Sequence, residues 1–180
     1  MNTEYEIRIL EIDHEKIVQK LESLGAKKTI DALQERYIYD VIPQDDHKWI
    51  RLRTNGAKTT LTIKDLKART IDGMKEIEIE VNDFKKTNML LENLGYKNKG
   101  FQQNRRVQYL LDDVEIDLDH WPHIPEYMEI EGKDEASVMK ALEKLDIPKD
   151  KIVTLDVDSI YKYYGIEEIK DLSFDELEEK

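Results

Sequence analysis

Glu4, Glu6 and Arg8 occupy alternate positions in the stretch EYEIRIL, with Tyr5, Ile7 and Ile9 between them. Five more stretches are built the same way. Arg51 and Arg53 flank Leu52, and Thr60, Thr62 and Lys64 alternate with Leu61 and Ile63. Glu76, Glu78 and Glu80 alternate with Ile77, Ile79 and Val81. Glu115, Asp117 and Asp119 alternate with Ile116 and Leu118, and Glu129 and Glu131 flank Ile130. Carboxylates are the ligands that hard divalent cations prefer. Guanidinium groups match phosphate oxygens two at a time.

Alternation with a period of two places each charged set on one face of a strand. A sheet with helices on its apolar face and water on its charged face explains any one of these strands. Taken together, the charged faces span at least six strands and carry both signs. A sheet closed into a barrel would turn them inward and leave the apolar faces under helices. Such a lumen is costly unless its charges are paired, wet or holding ligands. Its natural occupants are a polyanion and a cation.

The chain between these strands follows a repeated plan. EYEIRILEIDHEKIVQKLESLG reads as a strand and then a helix, with Ile17, Leu21 and Leu24 on one helical face and Gly25 as the stop. EIEIEVNDFKKTNMLLENLG repeats this, with Leu94-Gly95 matching Leu24-Gly25, and Arg106 then stands where Arg36 stood. A third copy ends at Leu145-Asp146. Further strands lie in ERYIYDVI, KWIRLRT, KTTLTIKD, RRVQYLL and VEIDLD. Asn55-Gly56 reads as a hairpin, and Pro43 to Asp46 and Asp72-Gly73 as turns. The helical leucines Leu21, Leu91, Leu94 and Leu142 are expected in the core. The whole reads as one α+β domain of roughly eight strands over residues 1–165, followed by an acidic tail, 166–180, that either forms a short helix or frays.

Of the 180 residues none is cysteine, which excludes disulfides and thiol chemistry and suits a reducing cytoplasm. No apolar run is long enough to span a bilayer, and the N-terminus lacks a secretory pattern. The net charge of -12 argues against generic nucleic-acid binding. Much of that excess is local, because residues 167–180 hold seven acids and two lysines.

The order of these motifs resembles the CYTH, or triphosphate tunnel metalloenzyme, superfamily, which includes class IV adenylyl cyclases, thiamine triphosphatases and tripolyphosphatases. The family's opening Glu-x-Glu-x-Lys corresponds to Glu4, Glu6 and Arg8, its Arg-x-Arg to Arg51 and Arg53, and its Thr-x-Lys to Thr62 and Lys64. Its mid-chain acidic strand corresponds to Glu76 to Glu80, its Lys-x-Arg to Asn104 and Arg106, its late Asp to Asp119, its closing Glu-x-Glu to Glu129 and Glu131, and its Ser-x-Tyr to Ser159 and Tyr161. The resemblance implies a closed antiparallel barrel with helices outside. It also implies a triphosphate held by Arg8, Arg51, Arg53, Lys64 and Arg106. Mg²⁺ or Mn²⁺ would be held by Glu4, Glu6, Asp119, Glu129 and Glu131. Arg8, Lys64 and Glu78 are the candidate catalytic residues. The substrate would be tripolyphosphate, thiamine triphosphate or ATP, and a homodimer is common among the cyclases.

Two positions depart from the pattern, since Arg8 and Asn104 each replace a lysine. Arginine keeps its proton, so Arg8 cannot act as a general base. A metal-activated water or a tunnel carboxylate would serve instead. Hydrolysis, cyclisation of ATP and binding without turnover are the three outcomes this leaves open. Glu76, Glu78 and Glu80 either bind a second metal or pair with lumen cations. Arg105 should point outward. His120 and His123 read as surface residues of a loop, with a metal or substrate contact as the alternative, and Tyr161, Tyr163 and Tyr164 as packing.

Overall fold

Three aspartates start three helices. Asp13, Asp83 and Asp134 cap α1 (His14–Ser23), α2 (Phe84–Asn93) and α3 (Glu135–Lys144), each accepting from the backbone N–H three residues on. The carboxylate satisfies a donor that has no partner inside the helix. All three helices also end alike. The N–H groups of Ala26, Tyr96 and Ile147 return to the carbonyls of Leu21, Leu91 and Leu142. That closure requires a left-handed residue, supplied by Gly25, Gly95 and Asp146 at φ 77°, 95° and 57°. An aspartate tolerates this conformation better than most side chains, which explains why the third copy of the repeat manages without glycine.

The computed structural model describes residues 1–174. The strands are β1 (Asn2–Ile9), β2 (Lys27–Asp40), β3 (Lys48–Thr54), β4 (Thr59–Leu66), β5 (Met74–Val81), β6 (Asn98–Leu111), β7 (Val114–His120) and β8 (Tyr127–Gly132), with a short β9 (Ile152–Val153) before α4 (Val157–Tyr163). They run in the order β5-β4-β3-β2-β6-β7-β8-β1, and β1 pairs back to β5. The result is a closed eight-stranded antiparallel barrel, as expected. β1 serves three neighbours: β5 at residues 2–4, β8 along 5–9 and β9 at 8–9.

The apolar outer faces lie under the helices. Ile7, Ile9, Ile116, Leu118, Met128 and Ile130 pack with Leu21 of α1 and with Val138, Ala141 and Leu142 of α3. Burying such side chains contributes roughly 1.5–3 kcal/mol each. α2 covers less, resting on Tyr39 and Leu52 through Leu91. Leu94 corrects the expectation of a core leucine: it is 64% exposed, because it ends α2 where, among the described residues, no element covers it. Ile77 and Ile79 on the outer face of β5 are also exposed.

Leu172 bridges to Gln102 and is buried, so the segment after residue 165 lies against the barrel up to Phe174. Residues 166–174 form no helix, and the rest of the expected tail helix falls outside the described residues. Among the described residues no helix is long and apolar enough to cross a membrane.

Candidate active site

Residues paired directly across neighbouring strands share a face. The register therefore states which side chains meet inside the barrel. Glu6 lies opposite Glu131, and Arg8 opposite Glu129, which lies opposite Asp117 in turn. Arg106 faces Asp119, Arg53 stands between Arg36 and Thr60, and Lys64 faces Glu76. Glu4, Glu6, Arg8, Lys64, Asp117, Asp119 and Glu129 are all buried and pair with one another or with Arg106, while Arg36 is buried against Asn104 and Trp121. The charged faces look inward.

Three carboxylates meet at one place. Glu4, Glu6 and Glu131 each offer an oxygen, and these lie within 4.8 Å of one another. Burial pushes Glu131 up to about 8, helped by Glu129, Glu4 and Glu6. Burial also raises Glu4 and Glu6, against the pull of Lys64 and Arg8. Burial and mutual repulsion favour protons on carboxylates crowded this way, even against Lys64 and Arg8, and an oxygen-loving divalent ion suits such a site. The donor set fits Mg²⁺ or Mn²⁺. Lys64 Nζ already donates to both Glu4 oxygens at 2.8 and 2.7 Å and lies 3.5 Å from Glu76.

Asp119 and Glu129, expected beside those three, hold arginines in this structure. Glu129 accepts from Arg8 at 2.7 Å and lies 3.8 Å from Arg106. Burial pulls Glu129 up, but Arg8, Arg106 and Lys64 outweigh it and hold it at about 2. Asp119 accepts from Arg106 and from Asn104. Arg8 also reaches Glu6 at 3.1 Å and the Leu155 carbonyl at 2.8 Å. Arg8, Lys64 and Arg106 thus face the bore with their charge already matched.

Arg51 and Arg53 are different, because they share a single carboxylate. Glu78 lies 3.5 Å from Arg51 and 4.0 Å from Arg53, and it accepts from Thr62 at 2.8 Å. Burial raises Glu78, but Thr62, Arg51 and Arg53 outweigh that and keep it ionised. Arg51, burial and Arg106 together pull Arg53 down to about 9, which marks a surplus of positive charge. Glu80 lies at the exposed end, 4.0 Å from Lys58.

Sequence reasoning passed over a third member of this surplus. Arg36 is 5% exposed, and among the described residues no carboxylate lies within 4.0 Å of it. Its signal was present, since Arg36 holds the place in its repeat that Arg106 holds in the next. Arg36 lies 4.4 Å over the ring of Trp121, which belongs to an apolar cluster with Ile124, Tyr127, Ile160, Tyr161 and Leu172. That cluster caps the end of the bore where β7 leaves and β8 enters. Tyr161 anchors it by donating to the Pro122 carbonyl at 2.8 Å.

The remaining candidates lie elsewhere. Arg105 points outward and pairs with Asp31 at 2.9 Å. His120 stacks on Phe174, and His123 is exposed. Tyr163 is exposed, and Tyr164 donates to Glu11 at 3.2 Å. A groove of about 450 Å³ outside the barrel is lined by His14, Lys28, Asp31, Arg105, His120 and Glu126. Most of its charged groups are paired, His14 with Glu126 and both Lys28 and Arg105 with Asp31, unlike the arginine group of the bore.

The family model described as the CYTH domain matches residues 2–164. A Methanocaldococcus jannaschii protein, named for an inferred adenylate cyclase activity, is 27% identical over 163 residues, covering 83% of this chain and 93% of that one. A solved Pyrococcus horikoshii structure superposes with a TM-score of 0.75 at 23% identity, covering 87% of this chain and 98% of that chain. A Hippeastrum protein superposes with a TM-score of 0.62 at 15% identity, covering 94% of this chain and all of that one. The latter is described as an inferred adenylyl cyclase with a dominant triphosphatase activity.

Proposed function

The chain belongs to the CYTH domain family, and from that premise we propose that it is a divalent-metal-dependent enzyme that hydrolyses a linear or organic triphosphate. One observation carries this reading. A single bore holds a crowded, buried carboxylate trio and, apart from it, an arginine pair that shares one carboxylate. A metal–polyphosphate pair suits both.

Glu4, Glu6 and Glu131 would hold Mg²⁺ or Mn²⁺, which when bound offsets phosphate charge and activates the attacking group. Arg51 and Arg53 clamp phosphate oxygens. Lys64 can turn to phosphate once Glu4 has another cation partner, and Arg8 once Glu6 does. Arg106, held by Asp117 and Asp119, shapes the wall behind them. Arg8 cannot accept a proton, whereas Glu78 is ionised and stands between Arg51 and Arg53, placed to take the proton lost by an attacking water. With no cysteine in the chain, the reading places it in a reducing cytoplasm. We propose a homodimer as the working unit, as is common among the class IV cyclases the chain resembles, which light scattering checks as a mass of twice 21.3 kDa.

The Methanocaldococcus relative favours a second reading, cyclisation of ATP to cyclic AMP and pyrophosphate. The test is to incubate the protein with Mg²⁺ or Mn²⁺ and, separately, tripolyphosphate, thiamine triphosphate and ATP, and then measure phosphate, pyrophosphate and cyclic AMP. Phosphate released in a metal-dependent way, and lost in Glu6→Gln, supports hydrolysis. Cyclic AMP with stoichiometric pyrophosphate supports the cyclase. Binding without turnover makes the chain a polyphosphate-binding domain. Neither binding nor turnover sinks the reading.

A further inference from the structure

We infer that α2 is the surface on which a second copy of this chain docks, the two α2 helices packing antiparallel about a twofold axis at Leu90. The inference rests on the homodimer proposed above and names its contact. No residue that it uses lines the bore.

α1 and α3 cover one another. Leu21 of α1 shares a cluster with Val138, Ala141 and Leu142 of α3, and Leu24 at the end of α1 packs against it. α2 follows the same plan in sequence but stands alone. Its Leu91 reaches Tyr39 and Leu52, and among the described residues no second helix joins that cluster. Met89, Leu90 and Leu94 are left 59%, 60% and 64% exposed. At 3.6 residues per turn these three and Lys86 fall within about 140° of one another. Glu92, on the other flank, accepts from Asn98 of β6, so the apolar flank overhangs β4 and β5. The sheet there is bare as well, with Ile77 and Ile79 exposed. Leu24 holds in its repeat the place that Leu94 holds in this one, and a helix covers it. The cover that α2 lacks is a helix too.

Charge selects the occupant. α1 and α3 carry Glu15 and Glu135 in their first turns and Lys20 and Lys144 in their last, the order that a helix dipole favours. α2 has no acid in its first turn and no base in its last. Lys85 and Lys86 stand at its start and Glu92 near its end. That order is unfavourable for a lone helix and favourable for an antiparallel pair. Each copy then brings its lysines to the other's C-terminal carbonyls, and the same patch serves both sides. A parallel pair would set lysine against lysine. The net charge of -12 repels a second copy over most of the surface, which singles out a face where cations meet the other chain.

Sedimentation equilibrium at up to about 100 μM tests this. The unaltered chain should reach twice 21.3 kDa. Leu90→Glu should weaken association at least about tenfold with an unchanged circular dichroism spectrum, since the position is exposed. Lys86→Glu should weaken it less. Adding Asn93→Lys, which an antiparallel pair centred on Leu90 sets opposite residue 86 of the other copy, should restore it. A dimer that survives Leu90→Glu within twofold overturns the inference and leaves the homodimer standing. Failure of Asn93→Lys to restore association overturns the antiparallel arrangement. A chain that stays monomeric removes both. If that monomer binds phosphatidylglycerol vesicles through Leu90, α2 faces a lipid surface instead.

Discussion

Asp119 receives Arg106 through two parallel hydrogen bonds, Nε to Oδ1 at 2.8 Å and an NH2 donor to Oδ2 at 2.5 Å, across the β6–β7 register that sets the two residues opposite each other. Asp117 takes the other terminal nitrogen at 2.5 Å. Arg106 is therefore structural cement between β6, β7 and β8 as much as a candidate clamp. Arg106→Gln should leave Asp117 and Asp119 uncompensated and cost about 3–5 kcal/mol in urea unfolding. Arg36→Gln, which removes a charge with no carboxylate partner, should leave stability equal or higher. Equal losses from both would overturn this division between matched and unmatched arginines.

Asp117 should govern part of the pH dependence of stability. Burial pushes it up to about 7 from 3.8, with Asp119 and Glu129 adding to this and Arg106 opposing it. The folded state then takes up a proton that the unfolded chain releases. Its contribution is full below about pH 4 and is lost as pH rises through 7. Glu129 acts with the opposite sign, but only below 4.5, outside this window. The melting temperature should fall between pH 5 and 8, and Asp117→Asn should reduce that fall. A variant whose melting temperature tracks the unaltered protein across the window would show that Asp117 is ionised throughout.

Metal should stabilise the fold directly. A cation that binds only the folded chain at a hundredfold excess over its Kd contributes about 2.7 kcal/mol. Mn²⁺ should raise the melting temperature, a chelator should reverse the rise, and Glu6→Gln or Glu131→Gln should remove most of it. An undiminished rise in both variants would place the ion elsewhere.

The helix contacts separate two leucines that look alike in sequence. Leu21→Ala, at a fully buried position under α1, should cost about 2–5 kcal/mol. Leu94→Ala should stay within about 0.5 kcal/mol in the dissociated chain. Comparable losses in denaturant melts of the dissociated chain would mean that Leu94 is covered within it.

Most of the barrel was legible beforehand. Period-two alternation and paired turn signals located β1, β3, β4, β5, β7 and β8, and the glycine stops located α1 and α2. The Leu145-Asp146 ending was readable as a third copy because aspartate can enter the left-handed conformation that the closure needs. The failure at Leu94 has the same root as these successes. Spacing shows which face of a helix is apolar, and says nothing about whether a neighbour lies over its last turn.

Which side chains of a strand share a face is settled locally by the alternation of Cβ directions. The residue types and their order along the chain therefore determined the acidic and basic faces, the barrel and the family resemblance. Which charges are already matched is settled across strands, by register and tilt, as between Arg8 and Glu129, which lie far apart in the chain and face each other in the barrel. Only closure of the barrel could divide the cations into those held by carboxylates, Arg8, Lys64 and Arg106, and those left wanting an anion, Arg36, Arg51 and Arg53. Coulomb energy depends on distance in space, and a strand by itself records only distance along the chain.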